Sequence, residues 1–173
     1  MNLFRKSFFI TIISVYCFCG ISFAETSTDF LLKPKVRMDA PTFSLQELNG
    51  KETTLNDFSG KIVLLNFWAT WCAACREEMP EMEKLWSKLR EKGVVIVAVA
   101  ADKNKKAVRE FVKKNGITFP VLYDTDGKTR NQYEVLELPT SYIIGRDGKF
   151  TAKIIGTEIW MTEKGQRFLL DEL

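Results

Sequence analysis

"NFWATWCAACREEMP", from Asn66 to Pro80, is the segment that says most about how this chain folds. It continues a nearly unbroken apolar run, "KIVLLNFWA" at 61–69, of the kind found in strands that are buried on both faces of a sheet. After this run the apolar residues recur at helical spacing, at Met79, Met82, Leu85, Trp86 and Leu89. The sequence therefore predicts that a buried strand gives way to a helix here, with Cys72 and Cys75 at the junction.

Strands and helices alternate along the rest of the chain as well. A second apolar run, "VVIVAVAA", lies at 94–101, and upstream "PTFSLQELNGKETTL" alternates around Asn49-Gly50, which is a strong hairpin signal. Further elements are predicted as a short strand at 119–124, a strand–turn–strand unit at 138–156 and a last helix that starts near Thr162. This order predicts an α/β fold, a mixed β-sheet flanked by helices with an N-terminal β-hairpin extension.

The composition is that of one globular domain. The chain has 173 residues, of which 46% are hydrophobic and 27% are charged, and this is sufficient for a sizeable core. The formal net charge is +3, and the lysines are scattered rather than clustered among aromatic residues. These features argue against nucleic acid as a partner.

The N-terminus has a different composition. "MNLFRK" is a short basic start, and the uncharged stretch from Ser7 to Ala24 ends in small residues that suit a cleavage site. The pattern predicts a secretory signal peptide at 1–24, with an uncleaved membrane anchor as the alternative. A polar lead-in or tether is expected at 25–39, followed by the folded domain at 40–173.

Export would determine the environment of the cysteines. Cleavage after Ala24 would remove Cys17 and Cys19, so that the exported chain would keep only Cys72 and Cys75. An extracytoplasmic location, such as a periplasm, is an oxidising compartment in which two such thiols can form a disulfide.

A metal site is disfavoured for this cysteine pair. Zinc or copper needs about four nitrogen, sulfur or oxygen ligands, whereas the exported chain would offer two cysteines and the sequence contains no histidine. The absence of histidine also excludes Cys-His nucleophilic catalysis. We therefore predict no metal and no cofactor besides the cysteine pair itself.

A structural disulfide and a redox-active pair are the remaining interpretations. A bridge between Cys72 and Cys75 would close a very small loop and would stabilise the fold little, because the stabilisation grows with loop length. The redox interpretation has a positive mechanism, since the first turn of a helix favours a thiolate at Cys72. Cys75, one turn further, could then resolve a mixed disulfide formed by Cys72. We favour the redox pair, with both residues catalytic.

The segment around the cysteines resembles the active-site region of the thioredoxin superfamily. More narrowly, it is similar to the exported TlpA/ResA/cytochrome c maturation group of thioredoxin-like proteins. The similarity is carried by the lead-in "APTFSLQELNGKETTLNDFSGK", by the C-x-x-C-x-x-E-x-P pattern, and by "LPTSYIIGRDGK" near the end. It covers about residues 40–170 and implies a thioredoxin-like fold and a thiol-disulfide oxidoreductase activity.

The resemblance implies further roles near the cysteines. Pro139 would be a cis-proline that faces the disulfide, and the backbone of Leu138 would pair with an extended substrate; Thr140 completes this substrate-binding segment. Trp71 would contribute to an apolar rim that contacts substrates. For Trp68, packing in the core and a functional role stay equally open.

Two departures from the family concern proton transfer. Asn66 stands where thioredoxins carry a buried aspartate, and Ala73-Ala74 separates the cysteines without the acid that some relatives have there. An amide cannot accept the proton of Cys75, so another base or water must. Glu137 and Glu158 are the candidates for this proton transfer, although for each of them we favour the alternative of a surface carboxylate. For the helical Glu78 we favour a structural or dipole-related role over proton transfer.

The expected activity is reduction of protein disulfides, because no cation lies between the cysteines to stabilise the thiolate strongly. The family implies oxidised exported proteins as substrates, with apocytochrome c as one candidate, and a membrane thiol-electron transporter as the reductant. We expect a monomer that contacts the membrane only if the N-terminal segment stays uncleaved. The alternatives are a disulfide oxidase or isomerase, a thiol peroxidase, since the lead-in also resembles that of peroxiredoxins, and a non-catalytic binding or chaperone module.

Overall fold

A computed structural model of the chain describes residues 30–157 and 162–171. The predicted signal peptide, the first five residues of the lead-in (25–29) and Glu158 lie outside these described residues. The elements, in chain order, are β1 (Phe30–Leu32), β2 (Ser44–Glu47), β3 (Glu52–Thr54), β4 (Ile62–Trp68), α1 (Ala73–Leu89), β5 (Val94–Ala100), α2 (Lys105–Asn115), β6 (Val121–Tyr123), α3 (Lys128–Gln132), β7 (Thr140–Ile144), β8 (Phe150–Ile155) and α4 (Glu163–Asp171).

The strands form one mixed sheet, which in the described part of the chain has eight strands in the order β1-β8-β7-β4-β5-β6-β2-β3. β4 pairs in parallel with β5, and β5 with β6, whereas β7 runs antiparallel to both β4 and β8. The predicted mixed α/β architecture is therefore confirmed.

β4 lies at the centre of the sheet, and all seven of its residues are buried. Its side chains alternate between two cores, with Ile62 and Leu64 on the face that packs against α1, and Val63 and Leu65 on the other. Such a strand needs apolar residues at every position, which is why "KIVLLNFWA" carries no alternation. The strand therefore holds its C-terminal end, where the cysteines follow, firmly in the centre of the fold.

The N-terminal hairpin forms as predicted. β2 pairs with β3 around a turn in which Gly50 has φ of 91°, a conformation that glycine adopts without the steric cost of a Cβ. β2 also pairs with β6, so the hairpin extends the central sheet. One part of the lead-in differs from the expectation of a loose tether: Phe30–Leu32 forms the edge strand β1 on β8, with Leu31 packed against the core.

Candidate active site

Cys72 and Cys75 form a disulfide at the start of α1, with their Cα atoms 5.3 Å apart. Cys72 is the N-cap of the helix and has an extended backbone, while Cys75 lies in the first turn. The backbone N–H of Cys75 donates to Sγ of Cys72 over 3.2 Å. An N–H group aimed at this sulfur would stabilise a thiolate once the bond is reduced, as does the positive end of the helix dipole.

The two sulfurs have different surroundings. Cys72 is half-buried and Cys75 is fully buried against the core of α1. Only the sulfur of Cys72 can therefore be approached by another protein. The resolving thiol remains one turn deeper, out of reach of bulky partners.

The loop before Cys72 is held on both sides. The carboxylate of Asp102 accepts hydrogen bonds from the backbone N–H and from the hydroxyl of Thr70, with a distance of 2.9 Å for the N–H. Nη1 of Arg76 donates to the carbonyl oxygen of Thr70 over 2.9 Å. Asp102 is 3% exposed, so these contacts tie the loop to the end of β5 from inside the protein. They fix the position from which Cys72 begins the helix.

A cis peptide bond faces the disulfide. The Leu138–Pro139 peptide is cis, as the resemblance implies, and the carbonyl oxygen of Leu138 lies 3.7 Å from Sγ of Cys72. Thr140 is buried, and its hydroxyl donates to the carbonyl of Glu137 over 2.8 Å, which closes the loop. The structure thus brings Leu138, Pro139 and Thr140 next to the cysteine pair.

A buried polar group lies on the inner side of the disulfide. Nδ2 of Asn66 donates to Oε1 of Glu78 over 2.7 Å and to Oγ of Ser141 over 3.0 Å. All three side chains are fully buried. Glu78 follows Cys75 by three residues on α1, so the two side chains share one buried face of the helix.

Burial dominates the ionisation of Glu78. It raises the pKa of this carboxyl to about 8, and the hydrogen bond from Asn66 opposes the shift only in part. Oε2 of Glu78 and Oδ1 of Asn66 have no hydrogen-bond partner among the described residues. A carboxyl with such a pKa can hold or release a proton near neutral pH, which an ordinary surface glutamate cannot.

The remaining predicted residues differ in how far their side chains are exposed to solvent. Trp71 is 66% exposed beside Cys72, whereas Trp68 is fully buried, with its ring 5.2 Å from that of Phe111. Of the two interpretations left open for Trp68, its position therefore favours packing. Glu137 is exposed at the cis-proline loop, and Glu158 lies outside the described residues.

Sequence reasoning missed Ser141 and Asp102 and assigned Glu78 a structural role. A signal existed for Ser141, because Asn66 interrupts an apolar strand and must find a partner on a neighbouring strand; in the sheet it pairs with Ser141. Asp102 follows a continuous buried strand, the usual place for a residue that ties down a loop.

The described residues contain no group of three or more His, Cys, Asp or Glu side chains placed to hold a metal ion. In the same part of the chain, no helix is both long and apolar enough to span a bilayer.

Comparison with known proteins places this site among thiol-disulfide oxidoreductases. The chain matches the AhpC/TSA family over residues 36–153. It is 43% identical to a thiol-disulfide oxidoreductase ResA of Bacillus cereus over 150 residues, which cover 85% of this chain and 87% of that protein. It is 38% identical to ResA of Bacillus subtilis (strain 168) over 161 residues, covering 92% of this chain and 88% of the relative.

Solved structures agree with these sequence relatives. The crystal structure of a putative thiol:disulfide interchange protein DsbE from Chlorobium tepidum superimposes with a TM-score of 0.70 at 31% identity, covering 83% of this chain and 96% of the other. The similarity confirms the thioredoxin-like fold and the resemblance to the ResA group. It also confirms thiol-disulfide oxidoreductase as the class of activity.

Proposed function

The chain belongs to the AhpC/TSA family, and within it we propose that this thiol-disulfide oxidoreductase reduces disulfides of exported proteins, with Cys72 as the nucleophile and Cys75 as the resolving thiol. The observation that carries the proposal is the unequal placement of the two sulfurs. Cys72 is accessible at a helix N-terminus beside a cis-proline, and Cys75 is buried one turn deeper.

The reaction needs no further redox group. In the reduced protein, the thiolate of Cys72 attacks one sulfur of the substrate disulfide, and the other sulfur leaves as a thiolate that takes up a proton. The thiol of Cys75 then loses its proton and attacks Sγ of Cys72, which releases the second substrate sulfur and restores the Cys72–Cys75 disulfide. Two electrons pass from the dithiol to the substrate.

Glu78 is the group that accepts the proton of Cys75 in this scheme. It shares the buried face of α1 with Cys75, and its raised pKa lies close to that of a thiol. The side chain of Glu137 is exposed and has no comparable shelter from solvent. We therefore assign the proton transfer to Glu78 rather than to Glu137, while Glu158 lies outside the described residues.

The direction of electron flow follows from the absence of positive charge between the cysteines. Ala73 and Ala74 contribute only backbone to the helix end, so the residues between the cysteines add nothing to the helix dipole and the N–H of Cys75. The guanidinium of Arg76 donates instead to the carbonyl oxygen of Thr70. A couple of this kind is expected to be reducing, because a strong oxidant holds its nucleophilic thiolate with additional stabilisation.

The proposed function also includes the location of the protein, its electron donor and its substrates. A signal-like segment at 1–24 supports export, either as a soluble protein or anchored by that segment. A reductase in an oxidising compartment needs electrons from across the membrane, so a membrane thiol transporter is the proposed donor. Oxidised exported proteins, apocytochrome c among them, are the proposed substrates of a monomeric enzyme.

The test combines an activity with a redox potential. We expect the purified protein to accelerate reduction of insulin by dithiothreitol, and the Cys72→Ser variant to lose this activity. Equilibration with glutathione buffers should give a potential nearer to about −270 mV, as in thioredoxin, than to about −120 mV, as in a strong oxidase. A potential near the oxidase value would reverse the direction, and rapid peroxide consumption without insulin reduction would favour a thiol peroxidase instead.

A further inference from the structure

Leu136 is the most exposed of the large apolar side chains in the described residues, at 96%. The chain around it is well anchored. Val135, on one side, is buried, and its N–H donates to the carbonyl of Arg130 over 3.0 Å. On the other side follows the cis Leu138–Pro139 peptide. The exposure of Leu136 is thus imposed by an ordered loop and is not the fraying of a chain end.

The chain leaves α3 through a left-handed residue two positions before Leu136. Glu134 has φ of 51°, in the left-handed region that non-glycine residues rarely adopt. Its neighbour Tyr133 is buried, and the Tyr133 hydroxyl donates to the carbonyl of Pro41 over 2.5 Å. The N–H of Glu134 donates to the carbonyl of Asn131 and that of Val135 to the carbonyl of Arg130, so the left-handed residue caps the end of α3. What is left to explain is why a large apolar side chain is fully exposed in an ordered loop.

Leu136 lies close to the reactive sulfur. It precedes Leu138 by two residues, and the carbonyl of Leu138 is 3.7 Å from Sγ of Cys72. Trp71, 66% exposed, adjoins Cys72 on the other side. A polypeptide joined to Cys72 in a mixed disulfide therefore has exposed apolar side chains within reach at Trp71, next to Cys72, and at Leu136, two residues before Leu138.

The charged residues that flank Leu136 in sequence are acidic. Glu134 and Glu137 are both exposed and flank it in sequence, and the stretch 131–140 contains no lysine or arginine. One base reaches this segment from β8, since Nζ of Lys153 donates to the carbonyl oxygen of Glu134 over 3.2 Å. A partner with a basic residue beside an apolar one would complement this surface.

We propose that Leu136 determines substrate specificity, by selecting extended polypeptides that carry an apolar and a neighbouring basic side chain two or three residues from the cysteine attacked by Cys72. Pairing of such a segment with the backbone of Leu138 would set its register, because residues two apart on a strand lie on the same face. This inference rests on the proposed reductase function and adds a selected substrate class to it.

The experiment compares three synthetic peptides, each joined through a single cysteine to glutathione. Each peptide carries one pair of residues at two and three positions from its cysteine, on both sides. The pair is leucine and lysine in the first peptide, leucine and glutamate in the second, and serine and lysine in the third. Single-turnover rates of their reduction are measured with the pre-reduced full chain, with Leu136→Ser and with Val36→Ser. Val36 is a matched control, since it is 74% exposed and lies on the lead-in.

The wild-type protein and Val36→Ser should reduce the leucine–lysine peptide about fivefold faster than the serine–lysine peptide, the gain expected from burying part of one leucine side chain. They should also reduce it faster than the leucine–glutamate peptide, because glutamate is repelled by Glu134 and Glu137. Leu136→Ser should reduce the leucine–lysine and serine–lysine peptides at equal rates. Retention of the wild-type preference in Leu136→Ser, or no preference in the wild type, overturns the inference alone. Failure of the wild type to reduce any of the peptides overturns the proposed function, and the inference with it.

Discussion

The two sides of the Cys72–Cys75 disulfide differ in almost every property. The outer side presents a half-buried sulfur and the exposed side chains of Trp71 and Leu136. The inner side holds Cys75 and Glu78, both fully buried, with the carboxyl hydrogen-bonded to Asn66. The outer side is suited to contact a partner protein and the inner side to move a proton, so substitutions should be able to separate recognition from resolution.

The largest effect is expected from removing one sulfur at a time. Cys75→Ala should still attack substrate through Cys72 and should then remain as a mixed disulfide, because no second thiol can release it. Cys72→Ala should form no such adduct, since its remaining thiol is buried. Non-reducing gels and mass spectrometry of the trapped species would measure both outcomes. Equal trapping by the two variants would mean that the sulfurs do not have separate roles.

Substitution of Trp68 and Trp71 tests whether the outer side of the disulfide is separate from the core, with the free energy of unfolding as the measure. Trp68→Ala should lower the free energy of unfolding by about 3–5 kcal/mol, because it empties a fully buried site beside Phe111. Trp71→Ala should change it by less than about 0.5 kcal/mol, as is usual at an exposed position. Urea unfolding of the oxidised proteins gives both values. A large loss of stability in Trp71→Ala would show that the outer side is part of the core.

Burial of Glu78 predicts a pH dependence of stability with a definite sign. Its pKa is about 8 in the folded protein against an ordinary value of 4.5, so the folded state binds more protons between these pH values. The free energy of unfolding should therefore fall as pH rises from about 4.5 to 8, by an amount on the order of a few kcal/mol, and then level off.

Glu78→Gln should lack this fall, since its amide does not titrate. The comparison uses the oxidised proteins, in which the disulfide-bonded cysteines do not titrate either. Exposed carboxyls such as Asp57 provide the control, because their shared contribution cancels between the wild type and the variant. Parallel pH profiles for the two proteins would contradict a raised pKa at Glu78.

The same substitution should slow the resolving step. General-base catalysis contributes about 100-fold in typical sites, so release of substrate from Cys72 should be slower by about that factor in Glu78→Gln. In the wild type, the rate of release should rise with pH to a plateau above about 8, as the carboxyl ionises. Formation of the mixed disulfide should be unchanged. Stopped-flow measurement separates the two steps. If Glu78→Gln slowed formation of the mixed disulfide, Glu78 would act in the attack on the substrate and not only in the resolving step.

The fold could be predicted in segments where the local sequence pattern is the one that the observed element requires. "KIVLLNFWA" is apolar throughout because β4 is buried on both faces, and Asn49-Gly50 specifies a hairpin whose glycine has positive φ. The strand–helix junction then places Cys72 at the N-cap. The edge strand β1 could not be predicted, because its pairing with β8 depends on residues more than a hundred positions away.

The inner side of the site was harder to predict than the outer side. A glutamate on a helix usually faces solvent, and only the packed structure shows that Glu78 is enclosed. Its hydrogen-bond network joins β4, α1 and β7, and Asn66 and Ser141 are 75 positions apart in the chain. Local periodicity contains no information on such contacts. The outer side could be predicted because its residues adjoin the cysteines or belong to the cis-proline loop implied by the resemblance.

The last prediction concerns the stability of the loop before Cys72, which Asp102 holds at Thr70. Asp102→Ala leaves the N–H and the hydroxyl of Thr70 without their acceptor and should lower the free energy of unfolding by about 2 kcal/mol; Thr70→Val loses the hydroxyl bond alone and should cost about 1 kcal/mol. Asp147→Ala, which breaks an exposed ion pair with Arg37, is the control and should cost less.

Asp102→Ala should also raise the pKa of the Cys72 thiol, measured by thiolate absorbance in the reduced protein, because a looser loop lets Sγ move away from the N–H of Cys75. A loss of stability without this change in thiol pKa would assign Asp102 to packing alone. If both change, the exposed side of the disulfide is oriented by a buried carboxylate that follows β5.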